Sequence, residues 1–164
     1  MHGPAAMPLM ISHGTIVRGH RVASGLGRDR RFPEGTIAAQ LPFFRRLVPG
    51  FDAHLGGSAF PGTINVGFAG CVVAPARPEI RLVGIDWTAH FPPETFFLSR
   101  CALVAGDAVE VPVFLYMPDP VTKPGHFQPS GIVELLARFV PGLAYGTPVA
   151  LRHDAAAVMI RPRP

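Results

Sequence analysis

Thr63 and Asn65 stand two residues apart, directly after a turn-forming Pro61-Gly62 pair, in the run Phe60-Pro61-Gly62-Thr63-Ile64-Asn65-Val66. Side chains alternate across a strand, so in that conformation a hydroxyl and a carboxamide would project together while Ile64 points the other way, into a core. Two such oxygens can share a hard cation such as magnesium, which takes oxygen ligands and keeps waters or phosphate oxygens around it. A plain turn leading into a strand has the same residue types, so the spacing opens both readings.

A second segment upstream reads Gly19-His20-Arg21-Val22-Ala23-Ser24-Gly25-Leu26-Gly27-Arg28-Asp29-Arg30-Arg31-Phe32. It predicts a short strand running into a basic loop. Glycines let backbone amides approach an anion closely, and Arg28, Arg30 and Arg31 would supply positive charge to phosphates. Ser24-Gly25-Leu26-Gly27 lacks the Gly-Lys-Ser/Thr ending of a P-loop and the third glycine of a dinucleotide fingerprint. A hairpin with a solvated basic tip is the alternative.

Other chemistries find less support. The seven histidines, His2, His13, His20, His54, His90, His126 and His153, include no H-x-H or H-x-x-x-H pair that would pre-arrange zinc on one element. Ser24 lacks the G-x-S-x-G elbow of acyl transfer. Cys71 and Cys101 lie far apart in apolar surroundings without C-x-x-C spacing, which fits free, buried thiols in a reducing compartment. Asp86, beside Trp87, is a carboxylate at a strand end, and Glu110 falls on the polar face of a strand.

The elements that must position these residues are mostly strands. Eighteen glycines and nineteen prolines in 164 residues punctuate the chain throughout and disfavour long helices. Strands are expected over 14–23, 64–68, 79–87, 95–104, 108–117 and 148–153, with Gly106-Asp107 as a hairpin turn. Apolar residues at helical spacing predict a short helix over 41–47, with Pro42 in its first turn, and a second over 132–139, with Val133, Leu136 and Val140 on one face. The proline-rich segment 118–129 is long enough to act as a lid.

Composition bounds the rest. A hydrophobic fraction of 48% with only 16% charged residues excludes a disordered chain, and the length suits one domain with a sizeable core. We expect a loose segment over 1–12, one domain over 13–155 and a basic tail over 156–164. No apolar run is long enough to span a membrane, and no basic n-region marks a secretory signal, so a cytoplasmic location is expected. The net charge of +4 suits a phosphate-bearing ligand. Its arginines lack the interleaved aromatics of a single-strand groove, which disfavours nucleic acid. The sequence leaves the oligomeric state open.

Taken together and in this order, these segments resemble the CTP-dependent riboflavin kinases of archaea. That family carries a V-x-S-G-L-G-x-G-x-x-F segment, a P-G-T-L-N segment and, near the C-terminus, an I-E-hydrophobic-hydrophobic-A segment. The first is matched within residues 19–32, the second by Pro61 to Asn65, about thirty residues later, and the third by Ile132-Val133-Glu134-Leu135-Leu136-Ala137. The resemblance implies an all-β, cradle-loop barrel of the riboflavin-kinase type. It places Ser24, Gly25, Leu26 and Gly27 on the CTP-binding loop, with Arg28 and Arg30 near its phosphates. Thr63 and Asn65 fall on the magnesium ligands, and Glu134 on a glutamate that contacts the flavin. The implied activity moves a phosphate from CTP or another nucleoside triphosphate to a riboflavin-like hydroxyl. Three positions depart from the pattern. Asp29 replaces a loop glycine, His126 stands where the family has a flavin-contacting threonine, and Arg138-Phe139-Val140 replaces a proline and a basic stretch. His126 would sit near the acceptor, where its pKa suits proton transfer. A non-catalytic barrel that binds a flavin, nucleotide or other small metabolite is the alternative, and a partner-binding barrel using the apolar 91–97 segment is a third reading.

Overall fold

The computed structural model describes residues 9–19, 29–106, 109–123 and 130–164. Within them the chain runs β1 (Leu9–Val17), α1 (Thr36–Leu47), α2 (Phe51–Leu55), β2 (Ile64–Gly67), β3 (Cys71–Pro75), β4 (Ile80–Ile85), β5 (Glu94–Ala105), β6 (Val109–Pro118), β7 (Ile132–Leu136), β8 (Pro148–Asp154) and β9 (Val158–Pro162). Seven strands make one antiparallel sheet in the order β4-β5-β6-β7-β2-β1-β8, and β5 pairs with β8 as well. That extra pairing closes β5, β6, β7, β2, β1 and β8 into a ring, with β4 added on β5. β3 and β9 form a separate two-stranded sheet.

The length of β5 makes closure possible. One edge is taken by β6, while the other serves β4 with residues 94–98 and β8 with residues 102–105. Between those two partners a backbone donor would be left over, and Glu79 takes it up. The Arg100 N–H donates to Glu79 Oε2 at 3.0 Å, the Glu79 N–H donates to Ser99 Oγ at 3.2 Å, and the Arg100 guanidinium pairs with the same carboxylate.

Alternation then divides the apolar residues into two cores. Ile16, Val66, Leu103, Val113, Leu135 and Leu151, one from each ring strand, are buried together inside the ring. The opposite faces of β4 to β7 present Leu82, Phe96, Leu98, Phe114, Tyr116 and Leu136 to the two helices. There Phe51 stacks on Phe114 with centroids 4.9 Å apart, and His54 Nε2 lies 2.8 Å from the Val113 carbonyl. The buried stripe of α1 is Ile37, Gln40, Leu41 and Phe44, the i, i+3, i+4, i+7 pattern of a helix packed on one side.

Several expectations need correction. Residues 132–136 form a strand, not a helix: Val133 and Leu135 enter the inner core while Leu136 enters the outer one. A strand buried on both faces is apolar at nearly every position, which periodicity alone does not separate from a helix. α1 begins at Thr36, five residues before the expected start, so Pro42 lies inside it and not in its first turn. It is tolerated because it faces solvent, where water can satisfy the carbonyl one turn back. β1 occupies residues 9–17 and not 14–23, which places residues 9–12 in the ring. The expected basic tail contains β9. Within 91–97, Phe96 is fully buried and Phe91 and Phe97 are half-buried, so this segment exposes no aromatic face. Both cysteines are free, and no helix among the described residues is long and apolar enough to cross a membrane.

Candidate functional site

Strand register lines up one row of side chains across six strands. Val17 pairs with Asn65, Asn65 with Glu134, Glu134 with Tyr116, Tyr116 with Leu98, and Leu98 with Ile80. Paired residues share a face, and Leu98 and Tyr116 belong to the helix-covered core, so Asn65 and Glu134 lie outside the ring, beside the helices. Thr63, one residue ahead of β2, donates from Oγ1 to Glu134 Oε1 at 3.2 Å. Ile64 packs against the inner core, as its alternation with Thr63 and Asn65 requires.

The Thr63 hydroxyl therefore meets the Glu134 carboxylate at the start of β2, and Asn65 stands opposite Glu134 on the same face. This set fits magnesium, which takes a carboxylate or two and fills its remaining positions with water and phosphate oxygens. Among the described residues no group of three or more His, Cys, Asp or Glu gathers that would hold a metal ion.

Gly19 reaches the row from above. A Cβ there would lie 2.7 Å from Asn65 Nδ2 and 2.9 Å from its Cγ and Oδ1, so any side chain at this position would displace that of Asn65. Ser24, Gly25, Leu26, Gly27 and Arg28 lie outside the described residues, as does His126. The chain is described again from Asp29, whose carboxylate accepts from the Arg31 N–H, Nε and Nη2 at 3.0, 3.1 and 2.8 Å. Arg31 lies over the Phe91 ring, and Phe32 is buried against Trp87 and Phe91. Arg30 is exposed.

Three buried residues that the sequence did not single out, Tyr116, Gln40 and Glu94, lie on the same side of the sheet. Tyr116 donates its hydroxyl to Gln40 Oε1 at 2.8 Å, both side chains being buried. Burial, reinforced by the charges of Glu134 and Glu94, pushes that hydroxyl well above its ordinary range, while the bond to Gln40 works the other way. Glu94 is buried at the start of β5 and accepts from Trp87 Nε1 at 2.5 Å. Burial raises its carboxyl, opposed by the Trp87 bond and the charge of Lys123. Next to it, Thr122 Oγ1 accepts from the Thr95 N–H at 2.9 Å, which ties down the start of the 118–129 segment. Gln40 had one legible signal, a polar residue inside the apolar stripe of α1. Asp86 is exposed and takes no part in this network, and Glu110 pairs with Arg152 on the ring surface.

The site thus joins a hard-oxygen cluster to a buried carboxyl and a buried hydroxyl. Gly19 lies against Asn65, and the Phe32, Trp87 and Phe91 cluster reaches Glu94 through the Trp87 bond. Compared with known proteins, the chain matches no family model and no curated sequence.

Proposed function

We propose that the chain is a phosphotransferase of the riboflavin-kinase type, built on a cradle-loop barrel, that moves a phosphate from CTP or another nucleoside triphosphate to a flavin-like hydroxyl. The observation that carries this reading is the Thr63 to Glu134 hydrogen bond. It joins two of the three resembling segments, 71 residues apart in the chain, and Asn65 stands opposite Glu134 in the same ladder. Magnesium, held by Thr63 and Asn65, would supply charge neutralisation at the phosphates. The chain's own residues position the reactants, which is most of what phosphoryl transfer asks of a protein. The acceptor oxygen bonds to the terminal phosphorus, the bond from that phosphorus to the bridging oxygen breaks, and a nucleoside diphosphate leaves. The acceptor's proton passes to Glu134 or His126. Arg28 and Arg30 offset charge on the departing phosphates.

One observation favours the binding-module alternative. Asp29, at the place of a family glycine, engages Arg31 through three donors and so withdraws one cation from phosphate binding. Magnesium dependence separates the two. We expect phosphorylated flavin from riboflavin, CTP and magnesium, abolished by chelation and by Asn65→Ala in protein that still melts cooperatively. Ligand binding that persists in chelator without turnover would favour the binding module, and full turnover in Asn65→Ala would exclude the metal site.

A further inference from the structure

Among the described residues three aromatic side chains are exposed: Phe60, Phe139 and Tyr145, at 46%, 66% and 58%. All three emerge at one end of the ring. Phe139 follows the end of β7, Phe60 precedes the start of β2, Arg18 follows the end of β1, and Tyr145 precedes the start of β8. The registers Ile64 with Leu135, Val17 with Asn65 and Thr15 with Pro148 bring those four strand ends together. In strand order the rim reads Phe139, Phe60, Arg18, Tyr145. Thr63 stands on the same rim, three residues after Phe60.

The rings are held, not loose. The Phe60 N–H donates to the Ala137 carbonyl at 2.8 Å, and Ala59 bridges to Arg138. The Tyr145 turn is fixed by the Gly146 N–H to Ile16 O at 2.8 Å and the Ile16 N–H to Thr147 O at 2.9 Å. Phe60 and Phe139 have centroids 5.9 Å apart at 49°, an open corner and not a closed stack. The Arg18 guanidinium lies 5.0 Å over the Tyr145 ring, and among the described residues no carboxylate forms an ion pair with it. Exposed aromatics on a fixed backbone suit a flat ring, and a cation beside them suits an anion joined to it.

We infer that this rim binds the planar heteroaromatic ring of a phosphorylated small molecule, stacked on Phe60 and Phe139, with its phosphate toward Arg18. The choice of ligand class rests on the phosphotransferase reading, and a flavin mononucleotide or a nucleoside triphosphate would both present this chemistry.

The test titrates riboflavin, FMN, CTP and a single-stranded oligonucleotide, without magnesium, into the native chain and into Phe60→Ala, Phe139→Ala and Arg18→Gln, by calorimetry and flavin fluorescence. Each aromatic variant should weaken the bound ring about tenfold, the scale of one lost stack. Arg18→Gln should weaken FMN or CTP while leaving riboflavin unchanged. Loss of FMN alone identifies a flavin, and loss of CTP alone a nucleotide. Equal affinity in both aromatic variants overturns the inference. So does failure of the folded native chain to bind any of the small molecules at millimolar concentration, or preferential binding of the oligonucleotide through the same residues. Rim-dependent binding without turnover would sink the phosphotransferase and keep the rim. Turnover with unchanged KM in the rim variants would do the reverse.

Discussion

Tyr116 and Gln40 offer the sharpest test of the outer core, because each is buried and each is the other's partner. Tyr116→Phe keeps the ring that packs against Phe44 and Phe96 and removes only the hydroxyl. Gln40 Oε1 then loses its tyrosine donor in a site closed to water, a loss of about 1–3 kcal/mol. For a domain of this length each kcal/mol moves the melting temperature by about 2–4 °C, so a loss near the middle of that range means a fall of about 4–8 °C. Gln40→Leu should destabilise comparably, since it leaves the hydroxyl buried without its acceptor. The double variant removes both polar groups and should recover most of the loss, giving a coupling of about 2 kcal/mol. Denaturant unfolding of all four proteins with a common m-value measures this directly. A Tyr116→Phe protein within about 0.5 kcal/mol of the native chain, or strictly additive single variants, would refute the claim that the pair is sealed from water.

Glu94 gives a pH signature. Its folded-state pKa is raised, so as pH climbs past the ordinary value of 4.5 the unfolded chain ionises first and stability declines until the folded carboxyl has ionised too. Glu94→Gln removes that decline, so it should melt higher than the native chain at pH 7 and equally at pH 3; a constant difference at both would point elsewhere. Burial pushes the Cys101 thiol up to about 12, so in the native protein a thiol reagent should label the half-buried Cys71 and reach Cys101 only on unfolding. Fast labelling of both would show that Cys101 is accessible. Gly19→Ala places a Cβ under 3 Å from the Asn65 side chain, whose far end can rotate away for about 1 kcal/mol. Melting should change by less than about 4 °C while turnover falls about a hundredfold, the effect of moving a positioning group by about 1 Å. Unchanged turnover would remove Asn65 from the site.

β2, β4, β5, β6 and β8 lie within two residues of their expected bounds. β2, β4 and β8 show alternation of buried and more exposed positions, while β5 and β6 are largely apolar on both faces but long and separated by the Gly106-Asp107 pair. β7 was misread because helices cover one side of it and the ring interior the other, which leaves no polar face to reveal a period of two. β3 and β9 are short and pair only with each other, so neither has the buried alternation that marks a ring strand. Thr63, Asn65 and Glu134 could be chosen from spacing and motif. Their meeting is a matter of register between strands some seventy residues apart. Tyr116 and Glu94 gave no local sign, since a tyrosine in an apolar strand and a glutamate before one are ordinary until a helix and Trp87 are laid over them.

The closed ring also sets a timetable for synthesis. β1 leaves the ribosome first, yet its neighbours are β2, some fifty residues later, and β8, whose His153 bonds to Ser12 across 141 residues. At 5–20 residues per second, β1 waits on the order of ten seconds for β8, with the apolar Leu9, Met10 and Ile11 unpaired. A nascent chain stalled before residue 148 should therefore be a strong client for strand-binding chaperones, and one released after residue 154 should not. The same delay predicts slow refolding, because the contacts that close the ring are among the most distant in the sequence.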